Sequence, residues 1–351
     1  MRCVSALLVV FLLFPVAASA GANAPKIDEL TSRDAVLGWI WAYRATPRHD
    51  DVPAAMKAAS RLGLLRDPES SGVFVGFLAG VIGANPDKAE VLLNKMLPLP
   101  VEDQWLVVRA IAYSGAPDWK ALLQKIGPQL PARKAMLDKQ VAGKLATLDQ
   151  LNLEDDPTWY ARAWEAVRVD KYFRKKHGEK PARLEASGDI IDTYWGYYFA
   201  TGAYSPIARI VALTRWSKDR EDVEKLSIGS MAKYTLATNA ARDPAILAHL
   251  QWAARQQQTK EVEAALAEVV EAAETAETAR IRKEAYTAVD DLRRKGPGSR
   301  RDVALWSKVG EGAISLGCLG AAVAGQVQFG IPCVVGGALT SATLRYFGTP
   351  E

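Results

Sequence analysis

The chain has 351 residues, 24% of them charged, and a formal net charge of +4 at pH 7. That length suits two ordinary domains or one long repeat array, and the charge is too small to argue for a nucleic-acid partner. With three histidines and three cysteines, the chain gives little material for an imidazole-rich metal site or a catalytic triad.

The N-terminus has the form of an export signal. Arg2 is a short positive region, residues 4–17 are apolar, and Ala18-Ser19-Ala20 is a small-x-small site, so cleavage is expected after Ala20. The mature chain is then periplasmic or envelope-associated. The apolar stretch, with Pro15 inside it, falls short of the about 20 residues that a spanning helix needs. Cys3 precedes the apolar stretch and does not suit a lipidation site. Once Cys3 is lost, Cys318 and Cys333 remain in an oxidising compartment. They form either one disulfide or two buried thiols in an apolar setting.

Helix starts recur as a capping residue followed by proline: Asp67-Pro68, Asn85-Pro86, Asp156-Pro157, Ser205-Pro206 and Asp243-Pro244. The side chain accepts from an orphan N–H, and proline at the first helical position gives up a donor that has no partner there. Between these starts apolar residues recur at three and four, and alternating β-branched runs are few. The fold class is therefore all-α. Helices are expected near 32–46, 52–64, 69–83, 86–97, 101–114, 117–127, 131–148, 157–174, 189–202, 205–215, 220–240, 244–256 and 259–295.

Joints repeat as well. Gly83-Ala84-Asn85-Pro86-Asp87 and Gly115-Ala116-Pro117-Asp118 each lead into a short amphipathic helix, 30 to 32 residues apart. Two later joints, at 202–206 and 239–244, have a similar form and a spacing of 38. Over residues 32–127 and 189–256 the chain resembles the tetratricopeptide, Sel1 and HEAT-like group of α-solenoids, although the tetratricopeptide signature is not reproduced in order. The resemblance implies a helical-hairpin repeat array whose concave surface binds protein or peptide.

The organisation that follows is a signal peptide at 1–20, an N-terminal helical repeat region at 21–173, and a polar linker at 174–188. A second helical region covers 189–300, and an apolar C-terminal unit covers 301–351. The linker and its flanks carry the basic residues Lys171, Arg174, Lys175, Lys176, Lys180 and Arg183, which suit a solvated loop or an anionic headgroup. In the second region one helix over 259–295 would be about 55 Å long. Val262, Leu266, Val269, Ala273 and Ala276 form its apolar seam, fit for packing along its own protein or for a short coiled coil.

Catalytic motifs are missing. There is no nucleophile elbow, phosphate loop, His-Glu-x-x-His or Cys-x-x-Cys, so no catalytic residue, metal ligand or cofactor is assigned. Asp189, Asp192, Asp290 and Asp291 read as capping or solvated carboxylates, with acid-base work on envelope sugars by Asp189 or Asp192 as the alternative. The cluster Tyr194-Trp195-Gly196-Tyr197-Tyr198-Phe199 has two readings. Tyr194, Trp195 and Tyr198 form a binding wall for a peptide or sugar, or all the rings are buried between neighbouring helices.

From residue 312 to 344, between Glu311 and Arg345, no residue is charged. A single span there would leave Arg293, Arg294, Lys295, Arg300, Arg301 and Lys308 on the exported side, against the positive-inside preference. Gln326, Gln328 and Pro332 also divide the run. Two short helices, 313–324 and 332–344, fit better as an apolar glycine-rich hairpin. Such a hairpin needs a partner: the end of the helical array, another subunit in a homo-oligomer, or a membrane.

Overall fold

The computed structural model describes residues 25–153, 182–256 and 259–295. Among these every regular element is helical, and the one β-type contact is an isolated bridge between Leu151 and Leu184. The helices are α1 (Arg33–Tyr43), α2 (Val52–Arg61), α3 (Gly72–Ala84), α4 (Pro86–Met96), α5 (Trp105–Tyr113), α6 (Trp119–Ile126) and α7 (Lys134–Val141). After the undescribed 154–181 come α8 (Gly188–Thr201), α9 (Ser205–Leu213), α10 (Val223–Ala240), α11 (Pro244–Ala254), α12 (Lys260–Glu274) and α13 (Thr278–Lys295). The all-α class is as expected. The export signal with Ala18 and Ala20, the joint Asp156-Pro157, the basic stretch as far as Lys180, and the uncharged 312–344 with Cys318 and Cys333 lie outside the described residues.

Proline marks the starts of α4, α9 and α11, and Asp243 accepts from the Ala245 amide at 3.0 Å as the cap of α11. Asp67-Pro68 behaves differently. Asp67 accepts from the Glu69 amide at 3.0 Å and closes a turn, and α3 begins only at Gly72. Ser71 is held in that turn by donating to the Leu64 and Asp67 carbonyls.

The tightest packing is written in glycine. Gly72, Gly76 and Gly80 fall four apart, on one face of α3. A Cβ at Gly72 would lie 2.1 Å from the Asp189 carbonyl oxygen, and one at Gly76 would lie 1.8 Å from that of Thr193. From the other side, a Cβ at Gly196 would lie 2.1 Å from the Val73 carbonyl oxygen. The backbones of α3 and α8 thus touch directly, a contact that small residues at helical spacing permit and larger ones forbid. Residues 72–82 of α3 are all buried, and Ile190, Ile191, Trp195 and Phe199 of α8 join the same core. Among the described residues that core includes members from Leu30 to Ala285. Residues 182–187 bring the chain back to it, with the Asn152 amide donating to the Leu184 carbonyl at 2.8 Å and the Leu184 amide to the Gln150 carbonyl at 3.0 Å.

Two expected helices are shorter than their sequence pattern. The one drawn at 131–148 ends at Val141, because Gly143 takes a left-handed conformation at φ 72° and turns the chain away. The single helix drawn over 259–295 is two helices, broken at Ala276 with φ 56°. A left-handed alanine costs about 1–2 kcal/mol. The return it creates lets both α12 and α13 pack on α10, which a straight rod could not do. Val262, Leu266, Val269 and Ala273 of the expected seam are buried, whereas Ala276 sits exposed at the break. Arg280 spans that break to Glu271 at 3.0 Å.

A polar clamp ties the N-terminal helices to the C-terminal ones. Arg44, just after α1, pairs with buried Asp243, and its guanidinium lies 5.0 Å from the centre of the Tyr198 ring. The Tyr198 hydroxyl donates to the same carboxylate at 3.3 Å. Beside the clamp, Tyr204 stacks on His249 with centroids 4.0 Å apart, and Trp252 follows at 5.5 Å. The His249 Nε2 is buried without a hydrogen-bond partner, and burial lowers its pKa from 6.5 to about 4.

Two measurements check this account. Gly76→Ala is expected to destabilise the protein by about 3 kcal/mol in denaturant unfolding, through backbone overlap. Gly143→Ala, whose Cβ meets nothing within 4 Å, should cost about 1 kcal/mol from its left-handed backbone alone. Equal costs would refute the close-contact argument. For His249, the unfolded chain takes up a proton between pH 6.5 and about 4 that the native state refuses, so stability falls as pH drops through that window. His249→Phe, which keeps a ring in the stack, should flatten the fall; parallel stability curves for the two proteins would contradict it.

Candidate functional site

Successive residues of a helix point about 100° apart, so six aromatic-rich positions cannot share one face. In α8 they separate. Trp195 and Tyr198 turn inward and are 1% and 0% exposed, with their ring centroids 6.0 Å apart and edge to face. Tyr194, at 3%, is buried too, so these three rings do not form the exposed wall that was one expectation. They belong to the core reading, with a qualification for Tyr194. With Tyr197, one turn further on, it forms part of the floor of a groove of about 1110 Å³.

The walls of the groove come from three joints. The loop Gly115–Asp118 and the helix α6 that follows it bring Pro117, Asp118, Trp119, Lys120 and Gln124. The turn before the 148–150 helical turn brings Thr147, Leu148 and Asp149, and the start of α9 brings Ser205, Pro206 and Arg209. Tyr113 completes the floor. Gly115, at φ 68°, ends α5 with a left-handed residue and swings the loop outward, which leaves the Trp119 ring only partly buried on the rim.

The floor is chemically quiet. Tyr194 donates to the Leu148 carbonyl at 2.9 Å and Tyr197 to the Ser114 carbonyl at 2.9 Å, so both hydroxyls are committed to backbone. Burial raises the pKa values of Tyr113, Tyr194 and Tyr197, which keeps all three neutral. They offer ring surface. Charge is confined to the walls and is balanced, with Asp118 and Asp149 against Lys120 and Arg209. The Lys120 ammonium lies 5.5 Å from the centre of the Trp119 ring and extends the aromatic wall with a cation.

Asp189 and Asp192 do not line this groove. Asp189 stands in the first turn of α8 with its carboxylate bonded to Ser187 at 2.5 Å; burial raises its pKa, opposed by that bond and by Arg109. Asp192 is wholly buried on the side of α8 that meets α3, where its Cβ would be 3.0 Å from a Cβ on Gly72. Neither carboxylate meets the ring-lined surface where a sugar would lie. Among the described residues, no group of three histidine, cysteine, aspartate or glutamate side chains is placed to hold a metal ion, and no helix is long and apolar enough to cross a membrane.

Sequence reasoning found Tyr194 and missed Tyr113, Trp119, Lys120 and Arg209. The signal was present at Gly115-Ala116-Pro117-Asp118-Trp119, where a breaker loop precedes an aromatic residue, but the repeat reading treated that loop only as a hinge between helices. In comparisons with known proteins, no family model, no curated protein and no solved structure matches the chain.

Proposed function

We propose that this protein is an exported, non-catalytic helical scaffold that binds a protein or peptide segment in the cell envelope, and that the groove beside Trp119 is where the segment lies. One observation carries the reading: a large groove with a ring-lined floor, sealed hydroxyls and charges of both signs only at its walls. At about 1110 Å³ it exceeds the roughly 300–1,000 Å³ of sites for small molecules. Aromatic floors give contact area at little entropic cost, and paired rim charges orient a chain without demanding a charged ligand.

The repeat reading supports it. Hairpins α3–α4 and α5–α6 stack with α3 on α5 and α4 on α6, as neighbouring repeats do. The second helices of the two hairpins are also bonded to each other, Lys125 to Glu90 and Gln129 to Asn94, each at 2.6 Å. The α8 helix caps this stack on the α3 side, in a solenoid-like body whose joints build the groove.

A second reading rests on the uncharged 312–344, which would hold the scaffold against a membrane or another subunit while the groove faces its partner. Alkaline extraction of membranes decides between them. Release of the full chain into the supernatant is expected for a soluble scaffold, and retention that disappears on deleting 312–351 would establish anchoring.

For the groove, crosslinking and affinity capture with the mature chain should recover a partner. Trp119→Ala should weaken its binding by about 2 kcal/mol, roughly 30-fold, and Gln124→Ala by less than about 0.5 kcal/mol. Undiminished capture by folded Trp119→Ala would refute the assignment of the groove.

A further inference from the structure

We propose that a second cavity, between α10 and α13, binds a small zwitterion: a free α-amino acid with an apolar side chain. The argument begins with Lys233, in the middle of a helix whose residues 226–240 are all buried. Its side chain is only 7% exposed. A buried ammonium is costly unless it is paired and its three donors are used. Glu268 takes one donor, and Glu284, at 3.8 Å, lies beyond hydrogen-bond reach. Lys218 bonds the same Glu268 at 2.6 Å, so one carboxylate already serves two lysines. Although burial by itself raises the Glu268 pKa, the two lysines outweigh it and hold the group below the usual carboxylate range.

The chain could have closed over this pair with apolar side chains. Instead a cavity of about 270 Å³ opens beside it, with Lys233 and buried Ser230 on one wall and Arg220 at the rim. The facing wall is α13. Glu284 and Asp291 stand seven residues apart on one helical face, with Ala285 and Ala288 between them and Ile281 one turn before. Three cations, Lys218, Arg220 and Lys233, and three carboxylates, Asp219 between the first two and Glu284 and Asp291 on α13, line the cavity, so a simple anion and a simple cation would each meet like charge. A molecule carrying both charges satisfies both walls. Its carboxylate would take the spare Lys233 donors and Ser230, its ammonium would face Glu284 and Asp291, and its side chain would cover Leu226, Ile281 and Ala285. At about 270 Å³ the cavity has room for a molecule the size of a free amino acid.

The site is independent of the groove, so its failure would leave the peptide reading untouched. Calorimetry and thermal unfolding of the mature full chain test it with L-leucine, leucinamide, N-acetyl-leucine and inorganic phosphate. Leucine should bind and raise the unfolding temperature, while blocking either charge should weaken binding at least tenfold. Lys233→Met should weaken leucine binding at least tenfold as well. Because that change touches the core, Glu284→Gln at the exposed wall is the second variant, expected to weaken leucine but not N-acetyl-leucine. Absence of any effect of leucine, phosphate binding as well as leucine, or full binding by folded Lys233→Met and Glu284→Gln would each overturn the proposal.

Discussion

The backbone contact between α3 and α8 is the constraint on which the other features depend. Gly76 and Gly196 bring the two helices so close that an added Cβ would lie about 2 Å from the opposing backbone. That proximity fixes the rotation of α8 about its own axis. With Gly196 turned toward α3, Trp195 and Tyr198 are directed into the core and to the Arg44–Asp243 clamp, while Tyr194 and Tyr197 reach the Leu148 and Ser114 carbonyls. A rotation of one residue would exchange these sets. The floor of the groove therefore follows from a contact made on the other side of the same helix.

The same logic explains why α8 can be rich in large rings and still be an interior helix. Large side chains pack against α1 and the C-terminal helices, and small residues serve where backbone meets backbone. α10 plays a comparable central part in the second half, with a different chemistry. It buries Ser227, Ser230, Lys233, Thr235 and Asn239, and it also makes a close backbone approach, at Gly229 against Trp216 and Ser217. The two cavities differ in their lining: ring surface in the groove beside α8, and charged side chains of both signs beside α10.

Much of the helical order was legible in the sequence, because the prolines at 86, 206 and 244 act locally at helix starts, although of the residues before them only Asp243 caps with its side chain; Asn85 and Ser205 do not. The break at Ala276 was not legible, since nothing in Thr275-Ala276-Glu277 resembles a stop and the return is imposed by packing on α10. The α3–α8 pairing was harder still. Gly72, Gly76 and Gly80 are visible as a small-residue stripe, but which helix they meet is a long-range fact separated by more than a hundred positions. For the aromatic cluster, sequence could state that its rings occupy more than one face, and only the fixed rotation of α8 tells which of them reach the groove.

The surface fixed by α8, and framed by the Trp119 loop and the start of α9, is the place proposed for a partner chain. Amide hydrogen exchange of the mature protein with and without its captured partner tests it most directly. Slowed exchange confined to residues 113–124, 147–149 and 205–209 is the predicted result, with α12 and α13 unchanged. Protection that spares these three segments and appears elsewhere would contradict the account.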